Sequence, residues 1–236
     1  MTFTIVMPVL NEAAGIEATL AALAPYRARG IEVIVVDGGS SDRTPDLARR
    51  LADRVITAPR GRATQMNAGA AAARGNVLLF LHADTRLPDN ADRAVLEGLA
   101  DSGLAWGRFD VRINSGGIFR LIAAAMNARS RLTGIATGDQ AMFVRRDAFE
   151  TTGGFPPIAL MEDVALSARL KRVSRPLCLS ARVTASARRW QAQGTLRTVL
   201  LMWRLRLSYF FGADPAKLAR IYGYADGECG QSGLAT

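Results

Sequence analysis

Two short stretches carry the residue types best suited to chemistry. The turn Asp37-Gly38-Gly39-Ser40-Ser41-Asp42 follows the apolar run Ile31–Val36. It sets a carboxylate at a strand end and follows it with glycines that permit a tight backbone turn. An acid in that position can accept hydrogen bonds from a ribose or a base edge. Equally, Asp37 can do no more than shape the turn while Asp42 or Thr44 caps the next helix. The segment fits neither GxGxxG nor GxxxxGK[ST], which excludes the two common phosphate loops. His82-Ala83-Asp84 follows the apolar run Val77–Leu81. A carboxylate there suits Mg²⁺ or Mn²⁺ beside a nucleoside diphosphate, because Mg²⁺ takes few protein oxygens and completes its shell with phosphate and water. His82 is the one histidine of the chain, and a lone histidine more often packs or makes a local hydrogen bond than binds a ligand.

The elements that must position these residues are legible as hydrophobic patterns. Phe3–Met7 reads as a strand, and Asn11 then caps a helix whose apolar positions Ile16, Leu20 and Leu23 fall at spacings of four and three. Ile31–Val36 is the next strand, and Thr44-Pro45 supplies an N-cap with a proline at the first helical position. Val55-Ile56 is a short strand, the segment 62–74 is Ala-rich and helical, and Val77–Leu81 is the unbroken apolar run that a parallel strand covered on both faces requires. The order β-α-β-α-β-α-β predicts an α/β fold with a doubly wound, mostly parallel sheet. Ligands bind such sheets beyond the carboxyl ends of the strands. Asn11 and Glu12, Asp37, and His82 and Asp84 stand at those ends and are expected to converge. In the second half, Leu104–Ile113 and Gln140–Val144 read as strands, and Ile118–Leu132 and Asp163–Val173 as helices. No linker-like stretch divides the chain, so one domain over 1–225 is expected, with a small polar tail, 226–236, read as disordered.

A chain of 236 residues suits one such domain. With 49% hydrophobic and 22% charged residues, a disordered chain, a collagen-like repeat and a disulfide scaffold are excluded. Cys178 and Cys229 lie far apart without CxxC, and no basic region with an apolar run opens the sequence, so a cytoplasmic, reduced protein is expected. The net charge of +9 is local: Lys171 to Arg220 holds eleven basic residues and one acid, Asp214. Such a field favours nucleic acid, an anionic membrane surface or a phosphorylated ligand, and no recognised nucleic-acid motif accompanies it. Thr195–Phe211 is mostly apolar but contains Arg197, Arg204 and Arg206, so it is too short and too charged for a membrane span of about 20 apolar residues. It reads as an amphipathic helix that meets anionic lipid or a lipid-linked acceptor, or as a helix packed on the domain.

The motifs together resemble the family-2, GT-A-fold glycosyltransferases. The likeness lies in Met7-Pro8-Val9-Leu10-Asn11-Glu12, in Val36-Asp37-Gly38-Gly39-Ser40-Ser41-Asp42-Arg43-Thr44, and in the Asn67-x-Gly69 helix entered through Arg60-Gly61-Arg62. It continues in His82-Ala83-Asp84 at the DxD position and in Gly153-Gly154-Phe155 ahead of Glu162-Asp163. It covers residues 3–190, and its first two motifs are highly specific in combination. Ser186-Ala187-Arg188-Arg189-Trp190 and Gly212-x-x-Pro215-x-x-Leu218 through Tyr222 look like a small bacterial subgroup.

The resemblance implies an inverting, metal-dependent transfer of a sugar from a nucleotide diphosphate sugar to a hydroxyl acceptor, with no nucleic-acid partner. It implies a nucleotide-binding half over 1–100, an acceptor half over 101–190 and C-terminal helices over 191–225. Pro8, Leu10, Glu12, Asp37, Arg62 and His82 then face the nucleotide, and Asp84 holds Mg²⁺ or Mn²⁺. Asp163 is the general base with Glu162 beside it, and Asp139, Arg189 and Trp190 face the acceptor or the diphosphate. Asp163 would equally suit the first turn of its helix, where a carboxylate meets the positive end of the dipole. Two positions depart from the family pattern: His82 replaces the first Asp of DxD, and Ser186 replaces the Gln of QxxRW. The second departure, with the absence of membrane-spanning runs, argues against a membrane-embedded polymerising synthase. The alternatives are a nucleotidyltransferase on a similar sheet and a basic protein that binds nucleic acid or a membrane surface. Nucleotidyltransferases usually carry a glycine-rich loop after the first strand, where this chain reads Pro8-Val9-Leu10-Asn11-Glu12.

Overall fold

The computed structural model describes residues 2–187 and 194–224. In its first half, apolar runs become strands and amphipathic segments become the helices between them. β1 (Phe3–Val9) is followed by α1 (Ile16–Ala21) and α2 (Ala24–Ala28), β2 (Glu32–Asp37) by α3 (Thr44–Ala48), and β3 (Arg54–Thr57) by α4 (Arg62–Ala72). Next come β4 (Val77–Phe80), the two-residue β5 (Thr85–Arg86) and α5 (Ala91–Ser102). In the second half, β6 (Trp106–Ile113) leads to α6 (Ile118–Thr133), and a 3₁₀ turn, Gly138–Gln140, leads to β7 (Phe143–Arg145) and α7 (Arg146–Thr151). α8 (Glu162–Leu170), β8 (Leu177–Ala185), α9 (Thr195–Phe210) and α10 (Pro215–Tyr222) follow.

The eight strands form one sheet in the order β3-β2-β1-β4-β7-β6-β8-β5. β1 pairs in parallel with β2 and β4, and β2 with β3, which is the expected wound half. The sheet then reverses: β7 is antiparallel to both β4 and β6, β6 is parallel to β8, and β5 is antiparallel to β8. The reversal rests on a three-residue strand entered from a tight turn, where Ala141 adopts φ +45°. The strand expected over Gln140–Val144 accordingly starts later, because Gly138–Gln140 closes the turn first.

Alternation along the strands divides the core into two layers, as the period of two requires. Ile5, Met7, Val35, Leu79 and Phe109 face one side with Leu20 and Val95; Val6, Ile34, Leu78, Phe80 and Trp106 face the other with Met66, Phe149 and Leu166. Gly69 is required by the second layer, because a Cβ there would lie 2.3 Å from Val6 Cγ1 and 2.9 Å from Val36 Cγ2. A third, smaller cluster of Leu160, Met161, Leu205, Leu218, Ala219 and Tyr224 fastens α9 and α10 to the loop that enters α8.

Two helix starts differ from the sequence reading. Asn11 does not cap α1, which begins at Ile16 after Gly15; it takes a left-handed conformation, φ +53°, and its Oδ1 accepts from Ser41 N. Thr44 is the first residue of α3 rather than its cap: its N–H donates to Asp42 Oδ1, and its hydroxyl accepts from Glu12 N. Both residues are drawn into the contact between the loops after β1 and β2, and that contact outbids the local cap.

Candidate active site

The ends of β1 and β2 are knitted into one unit. Asn11 N donates to Ser40 Oγ (2.9 Å), Glu12 N to Thr44 Oγ1 (2.7 Å) and Ala13 N to Asp42 Oδ2 (3.1 Å). Pro8 and Leu10 are buried beneath these bonds. Asp37 is buried too; its Oδ2 accepts from Gly39 N and Ser40 N, both at 3.0 Å, and its Oδ1 accepts from Ser40 Oγ at 2.5 Å. Asp37 therefore shapes its own turn, and a carboxylate has further lone pairs with which to accept from a ligand. Gln65, which the sequence reading passed over, reaches in from α4, and its Nε2 donates to Val9 O and Val36 O, both at 2.8 Å. It is buried and ties the two strand ends to that helix.

A second cluster lies where β4, the 138–140 turn and the start of α8 meet, around a small pocket lined by Met66, Phe80, His82, Gly138, Met142, Phe155, Glu162 and Asp163. His82 Nδ1 stands 3.5 Å from Asp139 Oδ1. Asp163 Oδ2 accepts from Gly138 N at 2.8 Å and its Oδ1 from Val164 N at 2.7 Å, so the carboxylate is both a first-turn residue of α8 and a wall of the pocket. Glu162 is buried, with Oε1 3.5 Å from Arg62 Nη1. Burial pushes the Glu162 carboxyl up against the pull of Arg62, and the charge of Asp163 adds to the rise. Burial works on Asp139 in the same sense, but His82, with the charges of Arg62 and Arg206, outweighs it and holds the carboxyl at about 2. Asn67 fixes the pocket's far wall: its Nδ2 donates to Phe155 O (2.8 Å), and its Oδ1 accepts from Phe155 N (2.9 Å).

The expected convergence is thus split in two. Asn11, Glu12 and Asp37 meet at one place, whereas His82 meets Asp139 and the Gly138 turn that holds Asp163. α4 connects the two, with Gln65 at the strand ends, Arg62 beside Glu162 and Met66 in the pocket wall. Asp84 is exposed; its Oδ1 accepts from Thr85 Oγ1 at 3.3 Å, and its backbone carbonyl accepts from Ser186 N at 3.1 Å. No cluster of three or more His, Cys, Asp or Glu side chains able to hold a metal forms among the described residues. A lone exposed carboxylate still matches the donor set of Mg²⁺ or Mn²⁺, which accept hard oxygens and share their shell with phosphate and water. Arg189 and Trp190 lie outside the described residues.

Two arginines lie close to this cluster: no sequence signal revealed Arg129, and Arg206 was expected only as one of the three arginines of the 195–211 helix. Arg129 of α6 has Nε and Nη2 buried without hydrogen-bond partners among the described residues, and so does Nε of Arg206 on α9. Burial pushes the Arg129 guanidinium down to about 10, and the neighbouring Arg206 charge adds to this, while Asp163 and Asp139 act the other way. Asn127, two residues before Arg129, clamps α6 to β6 through Val111 N (2.9 Å) and Val111 O (3.0 Å). Buried N–H donors without partners among the described residues, on two neighbouring cations, have bonds to offer an anion. The described non-glycine residues with positive φ are Asn11, in the loop after β1, and Ala141 and Met161, which follow the 138–140 turn and precede α8, so both clusters carry backbone strain.

Residues 4–156 match the model of a family described as Glycosyl transferase family 2. The probable glycosyltransferase YdaM of Bacillus subtilis is 30% identical over 193 residues, 71% of this chain and 46% of the relative. A PGL/p-HBAD biosynthesis glycosyltransferase of Mycobacterium bovis is 39% identical over 92 residues, 36% of either chain. The chain therefore spans a third to a half of the length of these curated relatives. Staphylococcus aureus TarS 1–349 in complex with UDP-GlcNAc superposes with a TM-score of 0.66 at 19% identity, over 79% of this chain and 58% of that one. The mannosyltransferase PcManGT of Pyrobaculum calidifontis, in complex with GDP-Man and Mn²⁺, gives 0.64 at 22% identity over 94% and 69%. At these identities the likeness is one of fold, and that fold is GT-A.

Proposed function

Because the chain belongs to glycosyl transferase family 2 and is a glycosyltransferase, we propose that it transfers a sugar from a nucleotide diphosphate sugar to a hydroxyl acceptor, with inversion at the anomeric carbon. The observation that carries this reading is Asp163, a carboxylate held in a pocket wall by Gly138 N and Val164 N. Those two donors orient it and leave lone pairs open on both oxygens. Asp163 accepts the acceptor's proton as the acceptor oxygen forms its bond to the anomeric carbon; the bond to the diphosphate breaks on the opposite face and takes its electron pair with it. Glu162, buried against Arg62, sets the start of α8 in place.

Pro8, Leu10, Glu12, Asp37, Arg62 and His82 hold the nucleotide in this reading, and Asp139, Arg189 and Trp190 face the acceptor or diphosphate. Asp84 holds Mg²⁺ or Mn²⁺, which when bound neutralises charge on the diphosphate. Arg129 and Arg206 supply positive charge where the leaving diphosphate gathers negative charge, and their unmade hydrogen bonds are completed there. The two solved neighbours were captured with UDP-GlcNAc and with GDP-Man and Mn²⁺, which supports the donor class and leaves sugar and base open. A cytoplasmic setting goes with the free thiol of Cys178. Membership in the family removes the nucleotidyltransferase alternative.

A thermal-shift screen of UDP, GDP, TDP and CDP and their sugars, with and without Mn²⁺, tests the proposal. A ligand of the native state adds about 2.7 kcal/mol at a hundredfold excess over Kd. One nucleoside diphosphate class is expected to stabilise the protein, and Asp84→Ala is expected to remove the Mn²⁺-dependent part alone. No response to any of the four, or an unchanged Mn²⁺ effect in Asp84→Ala, overturns the donor or the metal assignment respectively.

A further inference from the structure

α9 turns a row of large apolar side chains to solvent. Leu200, Trp203, Leu207 and Phe210 are 68%, 65%, 59% and 82% exposed, and Phe211, just past the helix, is 77% exposed. Their spacing of three, four and three sets them on one face. The opposite face is spent on the fold: Thr198 and Leu205 are buried, and Leu201, Met202 and Tyr209 pack on the cluster of Leu160, Met161 and Leu218. Arg197 and Arg204 are exposed and fall in the apolar stripe itself, which runs Arg197, Leu200, Arg204, Leu207, Phe211. From Gly194 to Tyr224 there are five basic residues and one acid, Asp214.

We propose that this face of α9 is a docking surface for an anionic lipid bilayer, with the helix lying in the plane of the interface. Charge decides the occupant. An apolar protein surface laid over the stripe would bury Arg197 and Arg204 without partners, which is costly. A second copy of the chain would bring the same cations face to face. An anionic bilayer suits both parts: Leu, Trp and Phe enter the acyl boundary, while the arginine stems follow the apolar surface and carry their guanidiniums out to the phosphates. No helix among the described residues is long and apolar enough to cross a membrane, so the contact is a surface one. The inner side of the same helix carries Arg206, so docking would bring the candidate site up to the lipid. The consequence that the acceptor is lipid-linked rests on the function proposed above; the docking itself does not.

Co-sedimentation of the full chain with vesicles of phosphatidylcholine, or of phosphatidylcholine mixed with phosphatidylglycerol, tests this. Binding to the mixed vesicles at low salt is expected, with loss of binding at high salt. The double variant Trp203→Ser, Phe210→Ser is expected to fall to background and Arg197→Gln, Arg204→Gln to bind several-fold less. Because these side chains are exposed, melting temperature and stabilisation by nucleoside diphosphate should not move in either variant, which separates failure of docking from failure of the enzymatic reading. Absence of binding at low salt overturns the proposal, as does binding that both variants retain. A concentration-dependent dimer that Trp203→Ser, Phe210→Ser dissolves, without vesicle binding, would assign the face to a second copy instead.

Discussion

Gly138 and His82 occupy one space: a Cβ on residue 138 would lie 2.3 Å from His82 Cε1 and 2.4 Å from Nε2. The missing side chain lets the imidazole rest on the turn beside Asp139, while the N–H of Gly138 donates to Asp163. Gly138→Ala must push the ring away or shift the turn, and either displaces candidate residues of the site. A misplacement of about 1 Å can cost on the order of 10²-fold in rate. A fall in kcat of that order is expected, with an unchanged circular dichroism spectrum, and steady-state kinetics on the purified variant would read it.

Asp163→Asn separates the base from the helix residue. Asn can keep the bond from Gly138 N but cannot take a proton, so kcat should drop by roughly 10² to 10⁴ while donor affinity barely changes. A first-turn carboxylate with no further role would leave the variant nearly silent, because Asn serves helix starts about as well. Normal turnover would move the base elsewhere, and Glu162→Gln, assayed in parallel, would test the nearest alternative.

Arg129 is expected to cost stability and contribute binding. Its folded value near 10 lies below the ordinary 12.5, so the charge it carries at neutral pH is penalised in the native state, and the penalty fades only as pH rises through about 10. Arg129→Met should therefore raise the melting temperature of the ligand-free protein and weaken stabilisation by the nucleoside diphosphate. A melting curve with and without ligand checks both signs at once.

Asp110 anchors a different kind of charge. It is buried and accepts from Arg108, which is wholly buried, and from Arg131. Burial raises its carboxyl, but the bonds from Arg131 and Arg108 prevail and hold it below the ordinary 3.8. Its contribution is complete above about pH 4 and is lost as the pH falls below that, through the lowered native value. Asp110→Asn strands Arg108 without its counter-charge, for which the loss is roughly 3–5 kcal/mol. Urea unfolding at neutral pH would show the loss, and the variant's stability should fall less steeply than the parent's between pH 4 and pH 3.

β1, β2 and β4 were legible because strands covered on both faces must be apolar throughout, and Ile5, Val35 and Leu79 advertise this. β7 was legible as a strand over Gln140–Val144, but its late start and its direction were not: they follow from the turn at Gly138–Gln140 and from antiparallel pairing with β4. Asn11 was misread because a polar residue before an apolar helical pattern looks like a cap, and the partner that claimed its side chain, Ser41, lies thirty residues away. In the site, motifs pointed to Asp37, His82, Glu162 and Asp163. Arg129 left no trace and Arg206 was grouped with the lipid-facing arginines of its helix, since each sits in an amphipathic helix where an arginine ordinarily meets water. Their burial, and the effect of one charge on the other, appear only in the folded chain.

Ala141 offers a route to a more heat-tolerant form of this protein. It is fully buried at φ +45°, and a non-glycine residue in that conformation stores on the order of 1–3 kcal/mol. Ala141→Gly releases that tension without leaving a large hole, whereas the same exchange at Met161 would empty part of the cluster that seats α9. A laboratory selecting only for survival at high temperature would thus be drawn to residue 141. The turn that it loosens holds both Asp139 and the donor to Asp163, so the hardened protein is expected to be the slower one. The molecule keeps an awkward residue at the place where a comfortable one would let its chemistry drift.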